Sequence, residues 1–112
     1  MDCLFCKIAR GEIPSTKIFE NDKVYAFADI DPQAPFHAIV IPREHIKCAA
    51  DITPENSNLI ASVFEAVSLI AKQENLEKGF RVVNNCGEEG GQTVGHIHFH
   101  LLARRNLQWP PG

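Results

Sequence analysis

His96-Ile97-His98-Phe99-His100-Leu101-Leu102 alternates three histidines with apolar residues near the C-terminal end of the chain. Successive side chains on a strand point to opposite faces, so an extended backbone here puts His96, His98 and His100 on one face and Ile97, Phe99 and Leu101 on the other. A helix would instead spread the imidazoles around its circumference, at about 200° between neighbours. The spacing therefore predicts a strand that packs on one side and presents imidazoles on the other. Five of the 112 residues are histidine, and three of the five fall in this stretch, which argues against scatter by composition.

Working outward, Phe80 to Val83 reads as another strand, joined to the histidine stretch by the glycine-rich connection Asn84 to Gly95. Upstream, Leu59, Ile60, Val63, Phe64, Val67, Ile70 and Ala71 recur at helical spacing. Thr53-Pro54-Glu55 has the composition of the helix start, with a hydroxyl at the cap and proline in the first turn. The stripe runs to about Asn75, and Gly79 is the expected stop. Lys17 to Glu20 and Lys23 to Ile30 form a hairpin about Asn21-Asp22, and Phe36 to Ile41 a third strand closed by Pro42. Asp2 to Arg10 suits a short amphipathic helix that makes Cys3 and Cys6 neighbours. Strands in pairs, with one long helix inserted before the last two, favour an α+β domain with a mostly antiparallel sheet of five strands. One long and one short helix are expected to leave sheet surface uncovered, which predicts a homodimer.

At 112 residues and 12.5 kDa the chain fits a single domain, residues 1–112, and 45% hydrophobic residues allow a core without disulfides. A formal charge of −3 and a pI near 5.9 argue against sequence-independent nucleic-acid binding, which needs clustered cations. Neither a signal peptide nor a membrane-length apolar run is visible, so a cytoplasmic location is expected. In that setting a Cys-x-x-Cys pair reads as metal or redox chemistry before structural disulfides, and a thioredoxin-like context is missing.

Three imidazoles on one face admit two chemistries, a metal site or catalysis on an anionic group. A metal bound by all three would leave the glycine loop and Thr93 without a task. Backbone N–H groups in such a loop make a phosphate-binding concavity, and imidazole is a nucleophile toward phosphorus at neutral pH. Asn85, Gln92 and Thr93 offer hydrogen bonds beside it.

His96 to Leu102 resembles the His-φ-His-φ-His-φ-φ motif of the histidine triad (HIT) superfamily, with φ an apolar residue. Gly90-Gly91-Gln92-Thr93-Val94, Asp29 to Pro35 and the ending Trp109-Pro110-Pro111-Gly112 are similar to its Hint branch, so the likeness covers nearly the whole chain. The resemblance implies an α+β homodimer that hydrolyses purine nucleoside phosphoramidates, with AMP or GMP joined through nitrogen to an amine or lysine. It implies that His98 is the nucleophile, that His100 donates to the phosphate, and that His37 supports the triad. Thr93 would stand near the leaving amine, Asn85 and Gln92 at the phosphate-side loop, and Asp29 at the ribose hydroxyls. Phe5, Ile8, Phe27 and Ile30 would line the base pocket, and Trp109 would add to substrate binding. Bacterial-type members with Cys-x-x-Cys hold zinc with two histidines, and the matching positions here are Cys3, Cys6, His45 and His96. A dinucleoside polyphosphate hydrolase and a non-catalytic nucleotide- or partner-binding module are the alternatives. The Trp109 to Gly112 ending favours the Hint reading over the first, and the intact histidines disfavour the second.

Overall fold

The computed structural model describes residues 3–112. Its elements are α1 (Leu4–Ala9), β1 (Lys17–Glu20), β2 (Val24–Ala28), β3 (Phe36–Pro42), a short 3-10 turn (Ala49–Asp51), α2 (Ser57–Gln73), β4 (Phe80–Val83) and β5 (Phe99–Ala103). The five strands form one antiparallel sheet in the order β1-β2-β3-β5-β4. The fold class is therefore α+β with a five-stranded antiparallel sheet and one main helix.

Both faces of the central strands are buried, by different elements. Val24 and Ala26 of β2, Ala38 and Val40 of β3, and Phe99, Leu101 and Ala103 of β5 pack with Val63, Ala66, Val67 and Ile70 of α2. Tyr25, Phe27, Ile39 and Ile41 point the other way, against Phe5, Cys6, Ile8 and Ala9 of α1. Every residue of β3 is buried, which is why it reads as a continuous apolar run. The second face is thus covered at β2 and β3 by the N-terminal segment, while at β4 and β5 it stays partly exposed. Apolar exposure lies on α2 and the edge strand β4, at Phe64, Leu69 and Phe80. A groove of about 490 Å³ runs there between Phe64, Val67, Ala71, Leu76, Phe80 and Val82.

Several boundaries differ from the sequence expectation, each for a local reason. The α2 helix begins at Ser57, because Asn56 folds its side chain back to accept from the Thr53 N–H at 2.7 Å and makes a separate turn of residues 53–56. It ends before Asn75, which takes a left-handed φ of 57°. Leu76 N–H then donates to Ala71 at 2.9 Å and Asn75 N–H to Lys72 at 3.3 Å, a glycine-free Schellman closure with Leu76 buried beneath it. Gly79 is not the stop. The β2 strand is shorter than expected, ending at Ala28. Its entry is an Asx turn, with Asn21 Oδ1 accepting from Lys23 N at 2.9 Å and Val24 N at 2.8 Å. In the N-terminal helix the expected Asp2 lies outside the described residues; Cys3 is the cap, its sulfur accepting from Cys6 N at 3.3 Å.

Candidate functional site

The histidine stretch becomes strand only at Phe99, so of its three histidines only His100 belongs to the ladder of β5. Residues 96–98 leave the sheet edge, and Ile97 N–H donates to Ile46 O at 2.7 Å instead. The side-chain alternation persists past the last rung: Ile97, Phe99 and Leu101 are buried in the α2 core. The imidazoles share the opposite face, where the Phe5 ring meets His98 edge-on at 5.1 Å and His98 meets His100 at 5.1 Å.

Hydrogen-bond partners of fixed polarity settle which nitrogen carries each proton. The His98 Nδ1 lies 2.7 Å from the His96 carbonyl, an acceptor, so Nδ1 is protonated and Nε2 of the neutral ring holds the lone pair. No side chain among the described residues pairs with that Nε2, and no buried side-chain nitrogen lacks a partner, so Nε2 reaches solvent. His37 is arranged in the reverse sense. Its Nδ1 accepts from the Gln33 backbone N–H at 3.0 Å, which puts the proton on Nε2, and Nε2 lies 2.8 Å from His100 Nδ1. His100 therefore accepts at Nδ1 and carries its proton on Nε2. A lone pair on one ring and a donor on the next thus stand side by side, each set by backbone groups rather than by chance protonation.

Burial holds His37 below the ordinary histidine range, with Asp29 pulling the other way at 3.3 Å from Nε2. Burial, then the positive character of His98 and His37, lowers His100. Both rings thus stay neutral in the fold where an unfolded chain would take up protons, below a pKa of about 6.5. The folded pKa is depressed, so stability is full above that value and is lost as pH falls toward the folded values. We expect NMR titration to place both imidazoles below pH 6.5 and urea unfolding to give a lower stability at pH 5 than at pH 7; equal stabilities would contradict this.

The other candidate residues divide. Asn85 is half-buried and Thr93 exposed in the loop beside the imidazoles. Gln92 is committed to the loop itself: Oε1 accepts from Gly87 N at 3.0 Å, and Nε2 donates to Lys47 O at 2.8 Å and Val94 O at 2.9 Å. Asp29 faces His37 and also accepts from Asp31 N at 2.8 Å. Phe5, Ile8 and Phe27 are buried on the α1 face of the sheet, and Ile30 is fully exposed on the loop after β2. Trp109 is 81% exposed on the tail, which Arg81 of β4 ties down through Gln108 O at 2.8 Å. Asn84, which the sequence did not single out, holds the histidine stretch by donating from Nδ2 to His98 O at 2.9 Å.

On the same face the second cluster comprises Cys3, Cys6, His45 and His96, with ligand atoms all within 4.8 Å of one another. His96 Nε2 lies 2.8 Å from Pro42 O and must donate, leaving the Nδ1 lone pair to face the cluster. That Nδ1 is 3.2 Å from His45 Nδ1, 3.3 Å from Cys3 Sγ and 3.5 Å from Cys6 Sγ, and Cys6 Sγ is 3.6 Å from His45 Nδ1. A tetrahedral ion at zinc's bond lengths sets N···N at about 3.3 Å and N···S at about 3.6 Å, so the donors already stand at the required separations. Burial holds His96 down at about 4 and keeps its lone pair free, while burial and the Cys3 sulfur push the Cys6 thiol up. Two thiolates crowded this way need a dication, and two thiolates with Zn²⁺ leave the buried cluster neutral.

Comparison with known proteins identifies the family. The HIT domain family model matches residues 10–107. This chain belongs to the HIT domain family. A HIT family hydrolase from Legionella pneumophila Philadelphia 1 is 48% identical and superposes with a TM-score of 0.96, covering 99% of this chain and 100% of that one. The 14 kDa zinc-binding protein of Brassica juncea is 43% identical over 99% of this chain and 100% of its own length. Adenylylsulfatase HINT1 of Arabidopsis thaliana is 44% identical over 97% of this chain and 76% of its own length. Membership in the HIT domain family follows for this chain, and Cys3, Cys6, His45 and His96 form a group that could hold zinc.

Proposed function

We propose that this HIT domain protein hydrolyses purine nucleoside phosphoramidates, AMP or GMP joined through nitrogen to an amine or lysine, through a nucleotidyl-His98 intermediate. The observation that carries the reading is the fixed tautomer of His98, with Nδ1–H on the His96 carbonyl and Nε2 free beside the His100 donor. Attack of Nε2 on the α-phosphorus forms the P–N bond to His98 as the P–N bond to the amine breaks. The ring becomes an imidazolium, and the Nδ1–H···O bond to His96 strengthens as that charge grows. Such an interaction favours the transition state over the ground state. His100 Nε2–H faces the phosphoryl oxygens, and its own orientation is held by His37 and Gln33. The Thr93 hydroxyl passes a proton to the departing amine. Water then attacks phosphorus and gives a proton back to Thr93, the bond to His98 Nε2 breaks, and the nucleoside monophosphate leaves with the ring neutral again. Asp29 keeps lone pairs for the ribose hydroxyls, and zinc serves as a cross-link that anchors His96.

The name of the Arabidopsis relative indicates a sulfate leaving group on an adenylyl phosphorus, which the same His98 attack would accommodate. The test is steady-state hydrolysis of an adenosine phosphoramidate, adenylyl sulfate and a dinucleoside polyphosphate by the pure protein. Highest kcat/KM on the phosphoramidate is expected; preference for either other substrate would replace this reading, and no turnover on any would favour a binding module.

We further propose a homodimer formed through β4 and the adjoining α2 flank. An edge strand with unpaired backbone groups lies beside a groove bounded by Phe64 and Phe80, the combination that a second copy would bury. Phe80→Glu is expected to convert a dimer into a monomer by sedimentation equilibrium at micromolar concentration. Wild-type protein sedimenting as a monomer would overturn the proposal. The thiolate ligands of zinc fit a reducing compartment, and we place the protein in the cytoplasm. Among the described residues no helix is long and apolar enough to cross a membrane.

A further inference from the structure

Two thiols belong to neither the zinc centre nor the imidazole face. Cys48 precedes the 3-10 turn Ala49–Asp51, and Cys86 opens the glycine-rich loop; both are free and half-buried. One carboxamide joins their segments. Gln92 accepts from the N–H of Gly87, the residue after Cys86, and donates to the carbonyl of Lys47, the residue before Cys48. With about 2.3 Å between the O and N of one amide, those two backbone atoms lie within about 8 Å of each other. Across the remaining gap Cys86 stands near enough to push the Cys48 thiol up, and Cys48 donates to Asp51 Oδ2 at 3.5 Å.

The loop that carries Cys86 is held in place. Gly91 N–H donates to Glu88 O and Gln92 N–H to Gly87 O, each at 3.0 Å. Gly90 lies so close to the Cys86 backbone that a Cβ there would stand 2.3 Å from Cys86 O. Cys86 is therefore presented to Cys48 by a tight turn and not by a passing excursion of a loose one.

We propose that Cys48 and Cys86 are a redox modification site, closing into an intramolecular disulfide under oxidising conditions and reopening under reducing ones while Cys3 and Cys6 remain on zinc. The oxidant is a low-molecular-weight disulfide. Cys86 loses its proton and its thiolate attacks one sulfur, breaking that S–S bond and releasing one thiol. Cys48 then loses its proton and attacks the Cys86 sulfur, breaking the mixed disulfide and releasing the second thiol. Two protein thiols are oxidised as one disulfide is reduced, and the two protons leave with the released thiols. The order follows from the surroundings of Cys48. Cys86 and then burial push the Cys48 thiol up, against a backbone contact from Ala50, which suits Cys48 to the second, resolving step. The bond would staple the 47–51 segment to the loop that reaches from Asn84, the support of His98, to Thr93.

The experiment uses zinc-loaded protein treated with oxidised glutathione, followed by non-reducing peptide mapping, thermal unfolding and a chromogenic chelator to report released zinc. The expected result is a Cys48–Cys86 cross-linked peptide within one chain, no zinc release, and a midpoint raised by about 10 °C that dithiothreitol reverses. Cys86→Ser is expected to give a glutathione adduct on Cys48 with no rise in midpoint. Separate adducts on Cys48 and Cys86 of the same chain, links only between chains, or a cross-link without the rise would overturn the proposal. So would oxidation of Cys3 and Cys6 with zinc release while Cys48 and Cys86 stay free. None of these readouts depends on which substrate the protein hydrolyses.

Discussion

His98→Ala is expected to lower kcat/KM on an adenosine phosphoramidate by at least about 10³-fold, since it removes the group that forms the covalent bond, and residual turnover would come from positioning alone. The fold should survive. His98 packs against Phe5 and His100 through ring edges, and Asn84 holds its backbone carbonyl, which alanine retains. The check is steady-state turnover beside circular dichroism, together with mass spectrometry of wild-type protein quenched during turnover for AMP on His98. Full turnover by the alanine variant would discard the nucleophile assignment. His100→Ala separates the roles, because it leaves the nucleophile in place and removes a donor. A smaller loss is expected, about 10²-fold, without loss of the nucleotidyl adduct.

Zinc removal should chiefly affect stability. Cys3 and Cys6 lie at the start of α1, His45 follows β3, and His96 precedes β5, so one ion cross-links the N-terminal helix to two distant segments. Without it, two buried thiols and two lone-pair nitrogens face one another with no cation between them. We expect one zinc per chain by elemental analysis. Cys6→Ala, or chelation under mild denaturant, should lower the unfolding free energy by about 5 kcal/mol and the midpoint by about 20 °C. His96→Ala should behave like Cys6→Ala while keeping more turnover at low temperature than His98→Ala. The carbonyl that orients His98 belongs to the His96 backbone and persists in the variant. Zinc-free protein with unchanged stability would reject the cross-link.

Much of this was legible along the chain because it rests on local periodicity. The alternation from His96 to Leu102, the apolar stripe of α2 and the hairpin turn at Asn21-Asp22 each depend on neighbours a few residues away, and each appears as a strand-like segment, a helix or a turn. Helix ends were read less well. Asn56 acts through side-chain bonding and Asn75 through a left-handed backbone, where composition points to Thr53 and Gly79. The cover of the second face is of the same kind: nothing in the composition shows that α1 folds back over Tyr25, Phe27, Ile39 and Ile41 while β4 and β5 stay partly open.

By itself the sequence determined that three imidazoles share a face and that an apolar face lies behind them, because side-chain direction on an extended backbone has a period of two. Only the tertiary structure decided what each imidazole does. His96, His98 and His100 differ in the partner of a single nitrogen: Pro42 O, His96 O and His37 Nε2. Two of those partners arrive from β3, and the third from a backbone carbonyl two residues back. A hydrogen bond to a carbonyl fixes a tautomer, and the tautomer fixes whether the remaining nitrogen binds a metal, attacks phosphorus or donates a proton.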